Sequence, residues 1–183
     1  MLKLRWTFLL AVLVGMAGVI IAALATRTPP SAEVQAHALA GNISVTEQVL
    51  PAQLADLAGR GFRMVVDLRP DGEAADQPSS LQMREAARAA GVAFAYIPVP
   101  HGTIPAEAVN RLGQVLGTSQ KPVLLYCRSG SRAARTWALA EASRPGGLDE
   151  RAILQAVEQT GLDASDLQAD IARRIAARTG AAR

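Results

Sequence analysis

The chain has 183 residues, of which half are apolar, 19% are charged and 4% are aromatic, as is typical of one globular domain with added terminal segments. Lys3 and Arg5 lie in the first 26 residues, which contain no acid, and the remainder has 17 basic and 16 acidic residues. This near balance, with few aromatic residues and no basic stripe, argues against nucleic-acid binding. The single cysteine excludes an internal disulfide, and no cysteine and histidine cluster has metal-ligand spacing, so no metal or other cofactor is expected.

The amino-terminal segment, residues 1–26, is predicted to be a transmembrane anchor. From Trp6 onward it carries no charge and is rich in Leu, Val, Ile and Ala, over a length that suits a bilayer-spanning helix. Lys3 and Arg5 precede it and Arg27 follows it, so the positive-inside rule places the amino terminus in the cytoplasm and the soluble domain outside it. A cleaved signal peptide is the alternative, because small residues near the end of the segment resemble a cleavage site.

Residues 27–41 are predicted to be a linker, because two consecutive prolines and small or polar residues dominate them. The folded domain is expected over residues 42–183, where apolar strand patterns alternate with helical patterns. The expected strands are 43–45, 63–68, 92–99 and 121–126, and the expected helices are 51–58, 80–90, 105–116, 131–142, 148–160 and 164–179. This alternation predicts an α/β fold, with a mostly parallel sheet between helices.

The chemistry is predicted to lie in the loop that follows the last strand. Cys127 comes directly after an apolar strand, and Arg128, Ser129, Gly130 and Ser131 lead from it into a helix. Ligands bind at this edge of an open α/β sheet, and successive backbone amides with a helix amino terminus form an anion-binding concavity. Nearby arginines and the helix end favour a thiolate. We therefore expect Cys127 to be a nucleophile rather than an inert core residue.

The stretch Cys127-Arg128-Ser129-Gly130-Ser131-Arg132 resembles the active loop of rhodanese-type sulfurtransferases. Residues 42–161 resemble a bacterial family called beta-lactamase-hydrolase-like, or protein-phosphatase-like, sulfurtransferases. The landmarks are Asn42-Ile43-Ser44-Val45, the segment from Asp67 to Glu73, Asp76-Gln77-Pro78-Ser79, Tyr96-Ile97-Pro98-Val99 and the cysteine loop. The resemblance implies the fold of dual-specificity tyrosine phosphatases and a bacterial source. The anchor would then lie in the inner membrane and the domain in the periplasm.

Two chemistries compete for this loop. Cysteine phosphatases place an arginine after five intervening residues, where this chain has Ala133, and they carry an aspartic acid upstream, where residues 99–104 have no acid. On these grounds we favour sulfur transfer through a Cys127 persulfide, from a small anionic donor such as thiosulfate to a thiol or cyanide acceptor. A cysteine-dependent tyrosine or dual-specificity phosphatase is the first alternative, and a non-catalytic, membrane-tethered anion-binding module is the second.

Roles for single residues follow from this mechanism. Cys127 and Arg132 are the expected catalytic residues. The expected anion-binding residues are Arg128, Ser129, Gly130 and Ser131. Three further residues are candidates to lie around the site, although each also suits an ordinary turn or a solvated loop: Arg69, Asp71 and His101.

Overall fold

A five-stranded mixed sheet, covered by helices on both faces, organises the part of the chain that the computed structural model describes, residues 33–180. The strands are β1 (His37–Ala38), β2 (Ile43–Thr46), β3 (Met64–Asp67), β4 (Ala93–Tyr96) and β5 (Val123–Tyr126). The helices are α1 (Leu54–Gly59), α2 (Ser80–Ala90), α3 (Ala106–Thr118), α4 (Ser131–Ser143), α5 (Glu150–Glu158) and α6 (Gln168–Gly180), with short 3₁₀ turns at Pro51–Gln53 and Ser165–Leu167.

The strand order is β1-β2-β5-β3-β4, and every pairing is parallel except that of β1 with β2. The central strand β5 is buried along its whole length, as expected of a strand covered on both faces. The carboxyl ends of β2, β3, β4 and β5 therefore meet at one edge of the sheet. The predicted α/β fold is confirmed, with one antiparallel edge strand that makes the sheet mixed.

Side chains of β5 divide between two hydrophobic cores. Leu125 packs with α3 to α6 on one face, whereas Leu124 and Tyr126 pack with α1 and α2 on the other. The helix α4 is almost entirely buried, and its alanines allow it to lie close to the sheet, with Trp137 filling the space between layers. This close packing fixes the start of α4, and with it the loop that carries Cys127.

Local sequence signals explain the best-predicted helix, α2. Ser79 accepts a hydrogen bond from the Gln82 amide, while the Gln82 side chain accepts one from the Ser79 amide. This capping box begins the helix, and Gly91, with φ of 72°, ends it in the left-handed conformation. The observed bounds of α2 match the predicted range 80–90.

The folded unit begins earlier than the boundary placed at Asn42. Val34 and Leu39 are buried, the Val34 carbonyl accepts a hydrogen bond from Arg60, and β1 pairs with β2. Residues 33–41 therefore belong to the domain rather than to a linker. A two-residue strand carries no alternating pattern, so the sequence offered no signal for it.

The predicted anchor at residues 1–26 lies outside the described residues and stays a prediction. Within residues 33–180, no helix combines the length and apolar character needed to cross a bilayer.

Candidate active site around Cys127

Cys127 lies at the carboxyl edge of the sheet, immediately after β5. It is unpaired and only 1% exposed. The segment after β2 holds the backbone of this loop, because the Gln48 amide donates a hydrogen bond to the Arg128 carbonyl oxygen over 3.3 Å. The predicted nucleophile is thus buried under a loop that runs directly into α4.

Gly130 gives this loop its shape. It is the amino-terminal cap residue of α4 and has φ of 83°, a conformation that other residues rarely adopt. A Cβ atom there would lie 3.2 Å from the Thr46 carbonyl oxygen and 3.4 Å from a Leu162 methyl carbon. Only glycine fits both constraints, and α4 begins directly after it, so the free amides of the first turn of α4 lie next to the loop.

Arg132 faces Cys127 from the first turn of α4, with its side chain 13% exposed. Its Nη1 donates to a Glu73 carboxylate oxygen over 2.5 Å and to the Val99 carbonyl over 2.7 Å, while its Nη2 donates to the second Glu73 oxygen over 2.7 Å. The hydrogen bond with Glu73 is the main cause that raises the pKa of Arg132, and electrostatic attraction to Cys127 adds to it.

Glu73 joins two buried arginines. Arg69 is 7% exposed at its side chain and donates through Nε to Glu73 over 3.1 Å and through Nη1 to Gln48 over 2.8 Å. The pKa of Glu73 is lowered, first by its hydrogen bond with Arg132. Together with the Val99 carbonyl, these side chains tie the segments that follow β2, β3, β4 and β5, so the network fixes Arg132 relative to Cys127.

Replacing Glu73 by Gln should destabilise the domain, because two largely buried guanidinium groups lose their shared charge partner. With Glu73 itself partly exposed, we expect the free energy of unfolding to fall by about 1 to 3 kcal/mol. Since the carboxyl pKa is depressed below its ordinary value of 4.5, the loss should be full above that pH and shrink as the pH falls below it. Urea unfolding measures this, with Glu85→Gln, an exposed acid on α2, as the control. Equal stability of both variants at pH 7 would contradict the role.

A different acid near this edge, Asp67, is buried. It is 1% exposed at the end of β3, and its carboxylate accepts the Arg69 amide hydrogen over 2.8 Å. Burial raises its pKa to about 6, a rise that the hydrogen bond from Arg69 partly offsets. Because the folded state holds this proton more tightly than the unfolded state does, the group lowers stability as pH rises from about 4 to about 6.

Asp67→Asn should remove that pH dependence. The amide can still accept the Arg69 hydrogen bond, while the cost of burying a charge disappears. We expect the variant to gain about 2 to 3 kcal/mol over the wild type above pH 7, and little at pH 4. Urea unfolding across this range tests the prediction, with the exposed Asp76→Asn as control. An unchanged slope between pH 4 and 7 would contradict it.

An open cleft of about 530 Å³ lies against the cysteine loop. Its lining residues are His101, Gly102, Arg128, Ser129, Ser131, Arg132 and Arg135. Cys127, which is 1% exposed, is not one of these lining residues, although the next residue, Arg128, is. The exposed His101, on the loop after β4, is thus brought to the site. Arg135 is paired with Asp166, over 2.5 and 2.7 Å.

The structure separates the remaining sequence candidates. Arg69 joins the network around Arg132. Asp71, in contrast, accepts hydrogen bonds from the amide and hydroxyl of Ser80, each over 2.7 Å, and so caps α2.

Two residues of the site, Glu73 and Arg135, were not predicted from the sequence. The spacing of Arg69 and Glu73 was a weak signal for Glu73, and no feature of the sequence pointed to Arg135. Within residues 33–180, no cluster of His, Cys, Asp and Glu has the arrangement to hold a metal ion.

Comparison with known proteins shows which family this chain matches. Residues 35–144 match the family described as beta-lactamase hydrolase-like protein, phosphatase-like domain. The chain is 33% identical over 100 residues to a beta-lactamase hydrolase-like protein of Agrobacterium fabrum, and 33% identical over 99 residues to one of Xylella fastidiosa. These matches cover 55% and 54% of this chain but only 23% of each relative, so the chain spans about a quarter of their length.

Solved structures give the same fold. A candidate phosphatase from Neisseria meningitidis superimposes with a TM-score of 0.64 and 26% identity, covering 74% of this chain and 95% of that one. Tk-PTP in its active form gives 0.59 and 23%, covering 78% and 97%. The catalytic core of the PP-IP phosphatase Siw14 from S. cerevisiae gives 0.56 and 14%, covering 84% and 95%. The last two likenesses establish the fold alone, that of cysteine phosphatases.

These findings overturn the prediction of sulfur transfer through a persulfide, with its sulfur donor and thiol acceptor. The family is phosphatase-like, and the Neisseria meningitidis relative, 26% identical to this chain, is described as a candidate phosphatase. The sequence argument failed because it counted residues between cysteine and arginine. Although four residues intervene instead of five, the first turn of α4 still brings the Arg132 charge to Cys127.

Proposed function

Because this chain belongs to the family of phosphatase-like domains of beta-lactamase hydrolase-like proteins, we propose that it is a cysteine-dependent phosphatase acting on phosphate monoesters. The proposal depends on the pairing of Cys127, which follows a buried strand, with Arg132, in the helix that starts four residues after Cys127. The test is hydrolysis of phenyl phosphate by the full chain, measured as released phosphate and lost in Cys127→Ser.

Cys127 supplies the nucleophile. In the first half-reaction its sulfur attacks phosphorus, an S–P bond forms, and the bond from phosphorus to the leaving oxygen breaks. In the second half-reaction a water oxygen attacks the same phosphorus and the S–P bond breaks, which releases inorganic phosphate and restores the thiolate. The amides at the start of α4 and the Arg132 charge stabilise the negative charge on the transferred group in both steps.

Arg132 keeps one edge of its guanidinium group for the substrate. Its Nη1 hydrogens are taken by Glu73 and the Val99 carbonyl, and one Nη2 hydrogen by Glu73. The Nε hydrogen and the second Nη2 hydrogen form a fork on the opposite edge, and Cys127 lies within hydrogen-bonding reach of the same guanidinium group. Such a fork matches two phosphoryl oxygens and gives a bidentate, charge-assisted contact. Glu73 thus orients Arg132 without occupying its substrate-binding edge.

His101 is the group that supplies the proton in this mechanism. The leaving oxygen needs a proton as its bond to phosphorus breaks, and residues 99–104 contain no carboxyl group. His101 is exposed and lines the cleft beside Arg128 and Arg132. It donates its proton to the leaving oxygen and takes one back from the attacking water, which restores the starting state.

A further inference from the structure

Three arginines line the cleft beside the cysteine loop. Its lining comprises three guanidinium groups, one imidazole, two hydroxyls and a glycine, and no aliphatic or aromatic hydrocarbon side chain of residues 33–180 takes part. The lining suits a substrate that is polar and anionic beyond its reacting phosphate.

The three guanidinium groups are not equivalent. Arg132 and Arg135 are paired with Glu73 and Asp166, and neither acid lines the cleft. Arg128 is exposed at the cleft, and among the described residues its side chain has no hydrogen-bond or ion-pair partner. Since Arg132 is directed at Cys127 and Arg135 is held by its acid, the charge of Arg128 is the one left for a second group on the substrate.

We propose that the cleft takes phosphate monoesters that carry a second anionic group, and that Arg128 binds this second group. The inference rests on the proposed phosphatase function. The reacting phosphoryl group must reach Cys127, which is 1% exposed, whereas Arg128 lies exposed on the cleft wall. A substrate that spans these two positions presents one anion to the amides and Arg132, and another to Arg128. A carboxylate and a second phosphate share the required chemistry.

Three aryl phosphates with the same ring test the proposal on the full chain: phenyl phosphate, 3-carboxyphenyl phosphate and benzene-1,3-diyl bisphosphate. The meta carboxylate barely alters the leaving-group basicity, so the comparison with phenyl phosphate isolates the second charge. A hydrogen-bonded charge pair at a partly exposed site predicts a kcat/KM about tenfold higher for the carboxylated ester. The bisphosphate shows whether a second phosphate is preferred over a carboxylate. Either preference should weaken as salt is added.

Variants assign the effect to one residue. In Arg128→Gln the ratio of kcat/KM for the carboxylated to the plain ester should fall to about one, whatever happens to either rate alone. In Arg84→Gln, an exposed arginine on α2 away from the cleft, the ratio should stay at the wild-type value.

Two results would overturn the inference. If phenyl phosphate is hydrolysed in a Cys127-dependent way and neither second anion raises kcat/KM, the phosphatase proposal stands and the role of Arg128 fails. If the preference for the carboxylated ester survives in Arg128→Gln, the phosphatase proposal likewise stands and the role of Arg128 fails. If none of the three esters is hydrolysed in a Cys127-dependent way, both proposals fail together.

Discussion

Cys127→Ser should lower kcat for phenyl phosphate by at least about 10⁴-fold, in line with the loss of other enzymatic nucleophiles. A serine hydroxyl is a far weaker nucleophile in this site, because Arg132 stabilises an anion there but cannot remove a proton. The change replaces one buried sulfur by an oxygen, so the loop and α4 should keep their places. Substrate binding should therefore change far less than turnover.

Two measurements separate loss of chemistry from loss of fold. Urea unfolding of Cys127→Ser should give a free energy within about 1 to 2 kcal/mol of wild type, since the residue changes by one atom. Rapid-quench mass spectrometry of the wild type should find a phosphoryl group on Cys127 during turnover, and none in the variant. Turnover by a well-folded Cys127→Ser within tenfold of wild type would remove the cysteine from the mechanism.

Much of the fold could be predicted because its strands are short apolar runs that alternate with helical patterns. The central strand β5 and the helix α2 both emerged close to their observed bounds. The edge strand β1 did not, since its pairing with β2 is a long-range backbone contact without a side-chain pattern. The same reason hid the true start of the domain, which Val34 and Leu39 anchor by burial.

The site residues that are close in sequence could be predicted, whereas those brought together only by the fold could not. Cys127, Gly130 and Arg132 are neighbours in the sequence, so their spacing carried information about the loop. Glu73 is 59 positions from Arg132, and only the meeting of strand ends at one edge brings them together. Arg135 lies on the helix that follows the loop, one turn beyond what the loop pattern indicates.

The function was misjudged for a related reason. A count of intervening residues measures distance along the chain, whereas catalysis depends on where the guanidinium group lies. The left-handed Gly130 starts α4 early enough for Arg132 to reach Cys127. Likewise, the absence of a carboxyl group from residues 99–104 does not exclude another proton donor, because the same loop carries the His101 imidazole.

His101→Asn should lower kcat for phenyl phosphate by about 10²-fold, the smaller end of what general-acid catalysis contributes. The poor leaving group in phenyl phosphate depends on a proton donor, whereas the nitrophenolate of 4-nitrophenyl phosphate departs almost unaided. The same variant should therefore lose less than about tenfold with 4-nitrophenyl phosphate. His37→Asn, at the other histidine of the chain, is the matched control and should leave both rates unchanged.

The leaving-group comparison distinguishes proton donation from a loop that has merely shifted. If His101 only shaped the cleft, both esters would lose rate by the same factor, because each must place its phosphoryl group over the same sulfur. A rate loss that grows with the basicity of the leaving oxygen assigns the proton to His101, since only that step differs between the two esters. Such a result would also explain how a chain without an acid in residues 99–104 carries out phosphatase chemistry.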